Sequence, residues 1–173
     1  ADKPDLLIGD SGDGKTALLG SAALYIYKKT GKKSRLWSAD PGGWGPLEAL
    51  IQVGVVEACD LNMIEGPPFE NLMSATRGYW VAPEGNKLLP TPPDEMAKVG
   101  GFLFEGLTSF SELEMGSLQD KVAKGDNVQG QTFGPDPAIR FKDGDRWIGS
   151  NGQAHYNVVQ GDMLRLVNSS ARL

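Results

Sequence analysis

One segment, Gly9-Asp-Ser-Gly-Asp-Gly-Lys-Thr16, constrains this chain more than any other. It fits the pattern G-x-x-x-x-G-K-[ST] in full, and that pattern works only where a strand turns through a glycine-rich loop into a helix. The glycines let the backbone turn sharply and bring its N–H groups against phosphate oxygens. The helix that follows points its positive end at the same anion. Lys15 offers a point charge to the β- and γ-phosphates, and the Thr16 hydroxyl suits Mg²⁺. The flanks agree with this requirement. Asp5-Leu-Leu-Ile-Gly9 reads as a short buried strand, and residues 15–29 read as a helix with Leu18, Leu19, Ala22, Ala23, Ile26 and Tyr27 at helical spacing. Gly31 is predicted to stop that helix. The competing reading is a chance glycine-rich turn. The nucleotide-binding set is therefore predicted as Gly9, Asp10, Ser11, Gly12, Asp13, Gly14, Lys15, Thr16 and Ala17. Carboxylates repel phosphate, so the side chains of Asp10 and Asp13 are expected to point away from it.

Further along, strands and helices alternate. Residues 34–39 read as a strand ending at Asp40, residues 46–52 as a short helix opened by Pro46, and residues 53–64 as one or two short strands. Residues 68–80 begin as a helix. Residues 79–99, rich in Pro, Gly and charge, read as a loop or insertion. Gly101-Phe-Leu-Phe-Glu105 is a third apolar strand, and residues 108–123 a helix ended by Gly125. Residues 125–146 read as irregular, with a hairpin around Asp143-Gly144; residues 154–169 form a last helix. The alternation predicts an α/β fold with a largely parallel sheet.

Hydrolysis of a nucleotide needs carboxylates to hold the metal's shell and to activate water. Parallel α/β sheets present such groups at the C-terminal ends of strands. Two acids meet that description. Glu105 closes its apolar strand and is expected near Mg²⁺, directly or through water; if Phe104 occupies the metal-binding position, Glu105 is the water-activating base. Asp40 precedes Pro41-Gly-Gly-Trp-Gly45 and either faces the γ-phosphate or serves as a turn or cap aspartate. The catalytic set is thus Lys15, Asp40 and Glu105, and the metal set Thr16 and Glu105.

Composition narrows the alternatives. The 173 residues suffice for one domain with a core, with irregular insertions near 79–98 and 125–148. A net charge of -5 argues against a surface broadly coated for nucleic acid, though not against a local basic groove. The single cysteine, Cys59, allows no internal disulfide and reads as a buried, inert thiol. No apolar run reaches the ~18 residues of a membrane span. No signal-peptide pattern is visible, and since the chain opens almost at a strand, the true start is expected upstream.

Three segments together carry a resemblance. Gly9-Asp-Ser-Gly-Asp-Gly-Lys-Thr16, Ser38-Ala-Asp40 and Gly101-Phe-Leu-Phe-Glu-Gly-Leu-Thr-Ser109 occur in the order found in RecA-like ATPases. The chain looks most similar to bacteriophage ATP-binding proteins with a single RecA-like core, on the runs Asp40-Pro-Gly-Gly-Trp44, Phe104-Glu-Gly-Leu-Thr-Ser109 and Asn151-Gly-Gln-Ala-His-Tyr156. It covers roughly residues 5–64 and 100–170. The resemblance implies a three-layer P-loop NTPase fold with a mainly parallel RecA-like sheet. In RecA recombinase the acid that matches Asp40 is a glutamate, one methylene longer. The polar sensor strand expected after the last helix is missing, so an incomplete core is expected. The implied activity is Mg²⁺-dependent ATP hydrolysis in phage DNA recombination, replication or packaging, by a cytoplasmic homo-oligomer that engages DNA. A small-molecule kinase with residues 125–148 as its lid, and a nucleotide-responsive assembly module with little turnover, are the alternatives.

Other residues have both plain and functional readings. His155, the only histidine, and Gln160 read as cap or surface residues before γ-phosphate sensors. Trp37, Trp44, Trp80 and Trp147 fill a core or interface, or stack on bases. Arg140, Arg146, Arg165 and Arg172 are surface arginines or a finger reaching a neighbour's nucleotide. Lys28, Lys29, Lys32 and Lys33 form a solvated helix end or a phosphate-backbone contact.

Overall fold

The computed structural model describes residues 7, 13–40, 44–83, 85–124, 127–128, 131–132, 140–143, 146–149 and 159–166. Helix α1 spans Lys15–Thr30 and ends at Gly31, whose N–H donates to the Tyr27 carbonyl at 2.8 Å. Strand β1 (Lys33–Ser38) follows at once. A 3₁₀ turn over Gly45–Leu47 runs into α2 (Glu48–Gln52), with Pro46 in the first turn. Then come β2 (Val56–Asp60), a 3₁₀ turn over Leu61–Met63 and α3 (Pro68–Ala75). The 53–64 segment therefore holds one strand.

Residues 79–99 depart from the expected loop. They contain β3 (Tyr79–Val81) paired antiparallel with β4 (Leu88–Pro90), then α4 (Pro93–Met96). The prolines sit where they cost no ladder bond: Pro90 at a strand end and Pro93 at the start of a helix. Trp80 anchors this insertion, its ring edge-on to Trp37 at 4.7 Å.

Strand β5 (Val99–Glu105) leads into α5 (Leu107–Lys124). Beyond it lie two short antiparallel pairs, β6 (Asn127–Val128) with β7 (Gln131–Thr132) and β8 (Arg140–Asp143) with β9 (Arg146–Gly149). Asp143 pairs with Arg146, which is the hairpin expected around Asp143-Gly144. Residues 159–166 are helical, and the rest of the expected last helix lies outside the described residues; of the expected buried strand over residues 5–9 only Leu7 is described, and it is exposed and in no strand.

The central sheet has order β2-β1-β5, parallel throughout. Adjacent residues of β1 point to opposite faces. Leu36 joins Ala23 of α1, Leu47, Val56 and Leu103 in one buried cluster. Trp37 joins Cys59, Leu72 and Ala75 of α3, Phe110 of α5 and Leu166 in another. Helices thus cover both faces, as a parallel sheet requires. Glu114 of α5 adds a polar tie, its carboxylate accepting the Phe69 N–H at the start of α3 at 3.0 Å. Among the described residues, no helix is long and apolar enough to cross a membrane.

Candidate functional site

The site is built at the C-terminal edge of the sheet. Ser38 pairs with Glu105 in register, so β1 and β5 end side by side. The chains beyond stay joined: the Ala39 N–H donates to the Glu105 carbonyl at 3.1 Å. Helix α1 runs back along the sheet, which brings its first residues to the same edge. Gly14, at φ 78°, makes the left-handed turn that starts this helix, and its carbonyl accepts the Leu18 N–H at 3.0 Å. No acidic side chain occupies the first turn of α1.

Thr16 connects helix and sheet. Its hydroxyl donates to Glu105 Oε1 across 89 positions of sequence. The second carboxylate oxygen, Oε2, is buried and has no hydrogen-bond partner. Burial raises the Glu105 pKa most; the Thr16 hydrogen bond opposes the rise, nearby Asp40 adds to it and Lys15 opposes it. A strand-end acid thus sits partly desolvated between a hydroxyl, a second carboxylate and an ammonium.

Asp40 is half-buried two residues beyond β1. Its Oδ1 accepts the hydroxyl of Ser109, in the first turn of α5. Its N–H donates to Ser38 Oγ at 3.2 Å. Gly106 separates the two acids at φ 77°, and a Cβ there would stand 3.0 Å from the Asp40 nitrogen and 3.1 Å from its carboxyl carbon. Only glycine lets the β5–α5 corner lie against Asp40. Asn62 supports the same stretch, its Nδ2 donating to the Ala39 carbonyl at 3.1 Å.

Of the residues expected to bind nucleotide, Gly14, Lys15 and Thr16 open α1, with Asp13 and Ala17 exposed beside them. Gly9, Asp10, Ser11 and Gly12 lie outside the described residues. The two acids and the hydroxyl that bear on metal chemistry, Glu105, Asp40 and Thr16, do come together. Gly106 and Ser109 enter the sequence reading only inside the run that ends at Ser109, with no role of their own. Their signal was only position, in the corner directly after an acidic strand end.

These donors fit Mg²⁺. It prefers hard oxygen ligands, and it is commonly held by one or two carboxylates while phosphates and water complete its shell. A hydroxyl that donates its proton to Glu105 keeps its lone pairs for a cation. The unpartnered Glu105 Oε2 is a second oxygen with nothing to accept. Among the described residues no group of three or more His, Cys, Asp or Glu forms an all-protein metal cage.

No protein-family model matches this chain, and no curated protein or solved structure matches it either.

Several sequence expectations resolve away from the site. Trp37 is fully buried and Trp80 packs on it, so both serve the core rather than stacking on bases. Trp44 is half-buried with its indole N–H unpartnered. Cys59 is a buried free thiol, pushed up to about 12 chiefly by burial. Lys33 pairs with Glu57, while Lys28, Lys29 and Lys32 are exposed. Arg165 pairs with Asp162 of its own helix at 3.3 Å, and Gln160 is exposed. His155 and Arg172, and the side chains of Arg140, Arg146 and Trp147, lie outside the described residues.

Proposed function

We propose that this chain binds a nucleoside triphosphate, ATP by resemblance, together with Mg²⁺ and hydrolyses it at the edge formed by α1, β1 and β5. The observation that carries the reading is the Thr16–Glu105 hydrogen bond. It joins the last residue of the phosphate-binding pattern to the acidic end of a parallel strand, the pairing that a metal-dependent phosphoryl site needs. Bound Mg²⁺ would neutralise charge on the β- and γ-phosphates.

The two acids divide the work by their partners. Glu105, bonded to Thr16, is the metal-side carboxylate. Asp40, held through Oδ1 by Ser109, is the water-side base. Water oxygen bonds to the γ-phosphorus, the bond to the bridging oxygen of the diphosphate breaks, and Asp40 takes the water proton. Lys15 offsets the charge that develops on the phosphoryl oxygens. The products are the nucleoside diphosphate and phosphate.

The test is Lys15→Ala assayed for ATP binding and phosphate release. Losing one preorganised charge at the reacting centre should lower kcat about 100-fold or more. Unchanged binding and unchanged turnover would mean the site has been placed wrongly.

A further inference from the structure

The hydrolytic reading uses the hydroxyl of Ser109 on the Asp40 carboxylate only to tell the two acids apart. We infer that Ser109 is a positioning residue, which fixes the rotamer of Asp40 so that the carboxylate faces the attacking water. This inference rests on the proposed hydrolysis at the same edge.

Three observations converge on that contact. Ser109 lies in the first turn of α5, where the Phe110 N–H donates to the Gly106 carbonyl at 2.7 Å and sets the turn. Gly106, in the left-handed region, brings this turn so near Asp40 that a Cβ would lie 3.2 Å from Asp40 Oδ1. The acid's own backbone is held from other sides, by Ser38 Oγ on its N–H and by Asn62 on the preceding carbonyl. With the backbone fixed, what remains free in Asp40 is rotation of its short side chain. The Ser109 hydroxyl removes that freedom from the α5 side. The neighbouring Thr108 is exposed and makes no such contact in the described structure.

A base held in line by a hydrogen bond contributes to the transition state more than to ground-state binding. Ser109→Ala should therefore lower kcat about 10-fold while KM for ATP and the affinity for a non-hydrolysable analogue stay unchanged. Ser109→Thr, which keeps the hydroxyl, should restore kcat. In an Asp40→Asn background, Ser109→Ala should add no further loss, because the group it positions is already disabled. Thermal melting of each variant separates misfolding from mispositioning. Full kcat in Ser109→Ala, or additive losses in the double variant, would overturn the role of Ser109 and leave the hydrolytic site standing. If the wild-type chain releases no phosphate above Lys15→Ala, the hydrolytic reading and this inference fall together.

Discussion

Arg35 and Glu105, two of the charged residues of the central sheet, are treated in opposite ways. Arg35, in the middle of β1, is 3 % exposed. Its Nε donates to Glu57 on β2 at 3.1 Å, its Nη1 to Thr91 at 2.7 Å, and its guanidinium lies 4.6 Å from the Trp80 ring centre. None of its nitrogens is left both buried and unpartnered. Glu105, at the end of β5, has one oxygen on Thr16 and the other buried with nothing to accept. A buried charge without full pairing is costly. Arg35 is arranged to remove that cost, tying the β3–β4 insertion to the sheet. Glu105 retains it, and retained cost at the mouth of a phosphate-binding pattern is what a ligand or metal would relieve.

Substitutions can break this contrast. The largest effect on folding is expected from Arg35→Ala, which strips a buried partner from Glu57, a bond from Thr91 and packing from Trp80. A denaturant titration should show a loss of about 2 kcal/mol, below the usual figure for a broken buried pair because Glu57 is partly exposed and keeps Lys33. Glu105→Gln should behave differently. The amide still accepts the Thr16 hydroxyl and carries no charge to desolvate, so stability without ligand should change by under about 0.5 kcal/mol or rise. With Mg²⁺ and ATP the wild type should gain thermal stability and Glu105→Gln should gain much less. Equal losses from the two substitutions would show that Glu105 is structural, and the contrast would be gone.

Cys59 sharpens the comparison as a buried group with neither role. Burial and the neighbouring Asp60 hold its thiol at about 12, above the ordinary 9.0. The folded protein binds this proton more tightly than the unfolded chain. The resulting stability is fully present below pH 9.0 and is lost as pH rises toward about 12. Wild type should therefore lose more stability over that window than Cys59→Ala does. Equal slopes would place the thiol in contact with water.

Parts of this arrangement are legible in the sequence alone. The glycine pattern, the apolar spacing after it and the acid at the end of Gly101-Phe-Leu-Phe-Glu105 each predict structure from neighbours within a few residues. Helix α1 and strand β5 appear within a residue or two of the expected bounds. Proline and glycine give residues 79–99 the pattern of a loop, while the hairpin there is held by Trp80 against Trp37, a partner far away in sequence. Nothing local marks Arg35 for its role, since its partners come from β2, Trp80 and Thr91.

The sequence by itself determined that Lys15 and Thr16 open a helix and that Glu105 closes a strand, because glycine conformation and residue periodicity act locally. Only the tertiary structure decided that the two meet. The parallel pairing of β1 with β5 sets Asp40 beside Glu105, and the return of α1 over the sheet delivers Thr16, from 89 positions away, to the same carboxylate. Ser109 reaches Asp40 across 69 positions in the same way. Which oxygens end up paired and which are left open follows from that packing, for a hydrogen bond between distant residues is made by the fold and is not encoded at either end alone.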